Sequence, residues 1–162
     1  MTDRRTVVLE RTYRASPADV WEMWTTVEGI ESWWGPDGFC VEVHEIEVTV
    51  GGVLDYSMKT VGPDQTDYMK QAGMPLATRH SIVFTEVVPE RLLAYRHMAD
   101  FIPGVDAYEV GHRVELTPTE DGTKLTLTID AMHDQHWTDL AVAGWESELE
   151  RLRTAVTRKE HP

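Results

Sequence analysis

The segment from Asp134 to Lys159 constrains the fold more than any other part of the chain. Apolar residues recur in it at three- and four-residue spacing, with charged residues largely between them, which is typical of one long amphipathic helix. Its apolar face is predicted to consist of Trp137, Ala141, Trp145, Leu149, Leu152 and Val156. Most of the preceding chain alternates apolar and polar residues, as β-strands do. This helix must therefore bury its apolar face against a β-sheet.

The chain before the helix predicts six to seven strands and two short helices. Alternating residues indicate strands over residues 6–13, 39–48, 54–59, 80–88, 91–98, 109–117 and 123–131. Between the first two strands, Ser16 is a good N-cap with Pro17 at the first helical position, and a second short helix is expected within residues 25–33. The predicted fold is therefore α+β, with a curved antiparallel sheet wrapped around the C-terminal helix and a cavity between them.

Two stretches show no regular pattern, residues 62–78 and residues 99–107. The first contains Pro63, Gly73 and Pro75, so we expect a loop of about 17 residues, which is longer than most connections in compact domains. A loop of this length that also carries methionines could act as a lid over the cavity.

Composition narrows the classes of function. The formal charge of −13 and the pI near 4.8 argue against binding to nucleic acid or to an anionic membrane. Cys40 is the single cysteine, which excludes an internal disulfide, and the N-terminus has no apolar run of a signal peptide or membrane span. We therefore expect a cytoplasmic protein that forms one domain over residues 1–162.

Several local motifs together resemble a known family. They are Ala15-Ser16-Pro17 with Val20-Trp21, the run from Trp33 to Phe39, Gly51-Gly52 with Met58, the run from Glu86 to Leu92, Gly122 to Thr126, and Gly144-Trp145 with Leu149 and Leu152. In this combination the chain resembles the START-like (SRPBCC) superfamily and, within it, homologues of the activator of the 90-kDa heat-shock protein ATPase, over about residues 6–157. The resemblance implies the helix-grip fold and a deep apolar pocket under the long helix, without a universal set of catalytic residues.

Aromatic and apolar residues on the predicted inner faces are candidates for the pocket wall, because such side chains offer large contact area to flat or apolar ligands. The candidate ligand-binding residues are Trp33, Trp34, Tyr56, Met58, Phe84, Tyr95, Trp137, Ala141 and Trp145. The alternative is that these side chains fill a solid core.

His80, His97 and His112 lie at strand positions whose neighbours two residues away are apolar or aromatic. A buried imidazole needs a hydrogen-bond partner or a purpose, so these histidines, with Tyr95, are also the candidate catalytic residues for proton transfer on a bound ketone or enol. His133 and His136 flank Asp134 at a spacing that could hold the edge of a metal site, but we expect Asp134 to cap the helix and predict no metal. Nucleotide- and phosphate-binding glycine motifs are absent, so no cofactor is expected.

The sequence thus favours a carrier or ligand-binding protein for an apolar or aromatic small molecule over an enzyme. One alternative is a cofactor-independent cyclase, aromatase or dehydratase acting on a polyketide-like substrate, and another is a co-chaperone that stimulates a heat-shock chaperone ATPase. A homodimer is plausible as well, because a wide sheet has edge strands that need covering.

Overall fold

The structure, a computed structural model, describes residues 5–35, 38–73, 76–99 and 104–160. All the strands within these residues belong to one antiparallel sheet. The elements in chain order are β1 (Thr6–Tyr13), α1 (Pro17–Thr25), α2 (Val27–Trp33), β2 (Phe39–Ile46), β3 (Val53–Thr60), α3 (Pro63–Gln71), β4 (Ala77–Val88), β5 (Leu92–Ala99), β6 (Tyr108–Thr119), β7 (Gly122–Asp130) and α4 (Gln135–Glu160).

The order of strands in the sheet is β1-β7-β6-β5-β4-β3-β2. Strands β2 to β7 form a meander of sequential neighbours, and β1 adds to the sheet beside β7. Helices α1 and α2 carry the chain from one edge of the sheet to the other, and α4 packs on the same face as these two helices. The α+β class and the helix-grip architecture predicted from the sequence are confirmed.

The helix starts follow the predicted capping residues. The Ser16 hydroxyl accepts a hydrogen bond from the backbone N–H of Asp19 at 3.1 Å, with Pro17 at the first position of α1. The Asp134 carboxylate accepts from the N–H of Trp137 at 2.8 Å. Each cap satisfies an N–H that the first turn of a helix leaves without a partner, which fixes where α1 and α4 begin.

Two β-bulges interrupt the register of the sheet, one between Val43 and Glu45 and one between Phe84 and Glu86. The second lies beside the glycine pair, where Gly51 N donates to Phe84 O at 2.8 Å and Phe84 N donates to Gly52 O at 2.9 Å. A Cβ atom on Gly52 would lie 2.1 Å from Glu47 O, so only glycine fits there. Bulges bend the strands that carry them, which helps the sheet to curve toward the helices.

The inner faces of β6 and β7 are those that the alternation predicts. Val114, Leu116, Leu125, Leu127 and Ile129 are all buried. Across the sheet, the described residues form one large apolar core and a small second cluster around Ala99 and Val110. Leu149 and Leu152 of α4 are fully buried in the large core.

The predicted loop over residues 62–78 is wrong, since α3 (Pro63–Gln71) occupies its first half and β4 begins at Ala77. Gly62 has a φ of 84°, which turns the chain into the helix, and Pro63 is suited to its first turn. The sequence pattern concealed α3 because its side chains are mostly polar and only Met69 is buried. Parts of the predicted irregular stretches, Met74, Pro75 and residues 100–103, lie outside the described residues, as do Pro36 and Asp37.

Helix α4 is 26 residues long, but its polar face distinguishes it from a helix that spans a membrane. No helix in the described ranges has the combination of length and apolar character that crossing a bilayer requires.

Tyr13 connects β1 to α4 through a buried hydrogen bond. Its hydroxyl donates to Leu149 O at 3.0 Å, and the guanidinium of Arg153 lies 4.9 Å from the centre of its ring. Replacing Tyr13 by phenylalanine keeps the ring and removes this hydrogen bond, so we expect the free energy of unfolding to fall by about 1 kcal/mol. Urea denaturation measures the difference.

The matched control is Tyr68→Phe, because Tyr68 is 63% exposed on α3. This substitution should leave the unfolding free energy unchanged. Equal denaturation midpoints for the Tyr13 variant and the original protein would show that the hydrogen bond does not stabilise the contact between β1 and α4.

Candidate functional site

A cavity of about 220 Å³ lies between the inner face of the sheet and the first half of α4. The sheet contributes Tyr56, Met58, Ile82, Tyr95, His97 and His112 to its wall. Helix α4 contributes Ala141, Gly144, Trp145 and Glu148, and Trp34 comes from the end of α2. Ala99, Val110 and Met132 of the second apolar cluster also border it, so the cavity separates the two clusters.

The cavity exists because α4 presents small residues to this part of the sheet. Ala141 and Gly144 lie one turn apart on the helix, and a Cβ atom added to Gly144 would meet no other atom within 4 Å. Farther along the same helix, the large side chains of Leu149 and Leu152 fill the equivalent space. The apolar face of α4 is thus solid in its second half and hollow in its first half.

Aromatic side chains form much of the wall. Trp34 makes an edge-to-face contact with Tyr56 at 5.3 Å between ring centres and lies 6.2 Å from Tyr95. Trp145 stacks on Trp24, with ring centres 5.8 Å apart. Trp24 does not border the cavity but belongs to the large core, so its stacking contact holds Trp145 in place.

The structure brings six of the nine predicted ligand-binding residues to the cavity, namely Trp34, Tyr56, Met58, Tyr95, Ala141 and Trp145. Trp33, Phe84 and Trp137 do not border it. Trp33 is fully buried and its Nε1 donates to Met23 O at 2.8 Å. Phe84 lies in the large core, and Trp137 packs against the second cluster.

The three predicted histidines all lie on the inner face, and two of them border the cavity. His97 and His112 are wall residues, whereas His80 lies behind His97, with 3.4 Å between His80 Nδ1 and His97 Nε2. The other ring nitrogen of His80 is 2.8 Å from the hydroxyl of Thr78. His80 therefore has polar neighbours of its own and does not line this cavity.

His112 is uncharged at neutral pH. Burial first and the charge of His97 second lower its pKa to about 3, against the smaller opposing effects of the Val110 backbone and the Asp130 carboxylate. The ring stacks on that of Tyr95, with centres 4.7 Å apart and planes 10° from parallel. An imidazole with so low a pKa is a poor general base at pH 7.

Three buried polar atoms on wall residues have no hydrogen-bond partner among the described residues. They are Trp34 Nε1, the Tyr95 hydroxyl and His112 Nδ1. Burial raises the pKa of Tyr95 well above 10, so its hydroxyl keeps its proton. Buried polar atoms are nearly always paired in proteins, so three unpaired ones at a single cavity are unusual.

Glu148 is the main site residue that the sequence analysis missed. One of its carboxylate oxygens accepts a hydrogen bond from Gly35 N at 2.8 Å. Arg151, one turn later, donates to Gly35 O and, at 3.2 Å, to Phe39 O. The helix thus holds the chain that follows Trp34 by both its N–H and its carbonyl group. Spacing could have revealed Glu148, because it lies three residues after Trp145 on the predicted apolar face.

Burial raises the pKa of Glu148 to about 7, although the Gly35 N–H and the charge of Arg151 both act to lower it. The carboxyl group therefore exchanges its proton near neutral pH while lying in the wall of an apolar cavity.

His133 and Asp134, near the start of α4, have structural partners. The hydroxyl of Tyr108 lies 2.9 Å from His133 Nδ1, and Asp134 caps the helix. Within the described part of the chain, we find no group of three His, Cys, Asp or Glu residues that could hold a metal ion. The residues of α3 do not border the cavity, so the predicted lid has no counterpart in that helix.

The raised pKa of Glu148 predicts how stability depends on pH. Between about pH 4.5 and pH 7, the folded protein holds the Glu148 proton and the unfolded chain does not, so the contribution of this group to stability falls as the pH rises. Each pKa unit corresponds to about 1.4 kcal/mol, which gives a loss of ~3 kcal/mol across this range.

Glu148→Gln should remove this loss, because an amide does not titrate in this range, and its oxygen can still accept from Gly35 N. We expect the variant to gain stability relative to the original protein as the pH is raised from 4.5 to 7.5, measured by urea denaturation at each pH. A stability difference that stays constant with pH would contradict the assigned pKa.

Comparison with known proteins supports the fold and gives the family. A protein from Chromobacterium violaceum with a solved crystal structure is 22% identical, with a TM-score of 0.74 and coverage of 93% of this chain and 96% of that chain. The solution structure of an AHSA1-like protein from Aeromonas hydrophila is 18% identical, with a TM-score of 0.75 and coverage of 96% and 94%. The AHSA1 protein from Silicibacter pomeroyi is 17% identical, with a TM-score of 0.73 and coverage of 96% and 99%.

At these identities, the solved structures show a shared fold. Among proteins with curated descriptions, none matches this sequence. The sequence model of the family described as Activator of Hsp90 ATPase homolog 1-like protein matches residues 14–157. This match covers most of the chain, and the protein therefore belongs to that family and has the helix-grip fold of the START-like superfamily.

Proposed function

We propose that the protein binds an apolar or aromatic small molecule in the cavity between the sheet and α4, as a carrier or ligand-binding protein. The observation that carries this proposal is the open space of about 220 Å³ above an otherwise filled core. Protein interiors are close-packed, and each unfilled volume reduces stability. A ligand that fills the cavity recovers the contacts that Ala141 and Gly144 do not make.

The volume of the cavity limits the size of the ligand. Apolar cavities of roughly 150 Å³ take up benzene. A space of about 220 Å³ therefore suits one ring with substituents or two fused rings. The aromatic wall formed by Trp34, Tyr56, Tyr95 and Trp145 supports a flat ligand, because aromatic rings pack well against one another.

A second candidate function is a cofactor-independent cyclase or dehydratase, which Glu148 favours. General acid–base catalysis works best when the pKa of the group lies near the working pH. Glu148 meets this condition with its pKa of about 7, whereas His112 does not. In such an enzyme, we expect Glu148 to move the proton, in place of the histidines that the sequence suggested.

Filling the cavity tests the proposed binding function. Gly144→Leu adds a side chain where a Cβ atom meets no neighbour within 4 Å. The change should raise the free energy of unfolding by about 0.5–1 kcal/mol, because glycine is a poor helix former, and should weaken the binding of naphthalene at least about tenfold. Calorimetric titration with naphthalene and urea denaturation measure the two effects.

The control is Ala143→Leu, the same enlargement at the neighbouring residue, which is exposed. It should leave naphthalene binding unchanged. If the Gly144 variant is stable and binds naphthalene as tightly as the original protein, the cavity is not the binding site.

A further inference from the structure

The polar atoms and charges of the cavity wall restrict the chemistry of its ligand. We infer that the cavity selects uncharged aromatic molecules that carry a hydrogen-bond-accepting oxygen, such as an aryl ketone, and rejects aromatic carboxylates. This inference rests on the proposed binding function and adds the chemical class of the ligand.

The unpaired donors of the wall call for an acceptor. Trp34 Nε1 and the Tyr95 hydroxyl are buried without a partner among the described residues. An indole N–H can only donate a hydrogen bond, and a protonated phenol donates one readily. A ligand oxygen that accepts a hydrogen bond from either group gives a partner to a donor that is otherwise buried without one, which costs free energy.

His112 adapts to the ligand rather than selecting its charge. Its Nδ1 is the third unpaired atom, and the ring is neutral. A neutral imidazole carries its proton on either nitrogen, so Nδ1 can donate to a ketone oxygen or accept from a hydroxyl group.

The charges of the wall oppose an anionic ligand. Glu148 and Asp130 border the cavity, and none of the described residues that border it is lysine or arginine. The nearby guanidinium of Arg151 is directed to the carbonyl oxygens of Gly35 and Phe39. A carboxylate entering this cavity would lose its hydration without gaining a lysine or arginine partner, which is unfavourable in an apolar site.

Four two-ring probes of similar size test the inference: naphthalene, 2-acetonaphthone, 2-naphthoate and 2-naphthylmethylamine. Their affinities are measured by calorimetry at pH 8, where Glu148 is ionised. We expect 2-acetonaphthone to bind about tenfold more tightly than naphthalene, as one added hydrogen bond predicts, and 2-naphthoate to bind at least about tenfold more weakly.

Equal affinities for the ketone and for naphthalene would overturn the inference, as would tightest binding of the carboxylate. Tightest binding of the ammonium form of 2-naphthylmethylamine would also overturn it, because the carboxylates and aromatic rings would then select a cation. If none of the four probes binds, the proposed function itself fails together with the inference. If naphthalene binds and the ketone has no advantage, the inference alone fails.

Two variants assign the selectivity to named groups. Tyr95→Phe should reduce the affinity for 2-acetonaphthone about tenfold more than the affinity for naphthalene, whereas the control Tyr68→Phe should change neither affinity. Glu148→Gln should strengthen the binding of 2-naphthoate at pH 8 by a larger factor than it changes the binding of naphthalene. Loss of ketone and naphthalene binding by the same factor in the Tyr95 variant would show that Tyr95 only shapes the wall, which contradicts its proposed role as donor.

Discussion

The packing of α4 against the curved sheet is the constraint on which the rest of the structure depends. A helix of 26 residues with one apolar face must bury that face, and the sheet offers a concave surface to receive it. In its second half, Leu149 and Leu152 fill the space completely. In its first half, Ala141 and Gly144 leave the space open. The cavity is therefore a consequence of which residue sizes the helix presents along its length.

The same helix also places charge beside this apolar space. Glu148 and Arg151 hold the chain at Gly35, directly after the wall residue Trp34. This contact ties the position of an aromatic wall residue to a carboxyl group whose pKa is about 7. Burial of that group costs stability when it is ionised, and the hydrogen bond from the Gly35 N–H offsets only part of the cost. The cavity is thus apolar over much of its wall, and the helix adds a carboxyl group where it meets the chain that follows α2.

Much of the fold could be predicted from the sequence because strand alternation and helix capping are local signals. The cap at Ser16 and the inward position of His112 follow from such signals. Alternation shows which face of the sheet a side chain lies on but not what packs against it, so it could not separate Tyr95 at the cavity from Phe84 in the solid core. Helix α3 was missed because a mostly polar helix has no apolar periodicity. Glu148 was missed because the helical pattern places the charged residues between the apolar positions, and Glu148 was counted among them.

The most direct test of the central claim, that the space under α4 is a binding site, uses the indole N–H signals of the six tryptophans in a ¹H–¹⁵N NMR spectrum. During a titration with naphthalene, the account predicts that the signals of Trp34 and Trp145, which border the cavity, move the most. The signal of Trp21, which lies on α1 away from the cavity, should stay in place. Unchanged signals for Trp34 and Trp145 at saturating naphthalene, or a larger shift for Trp21, would contradict the account.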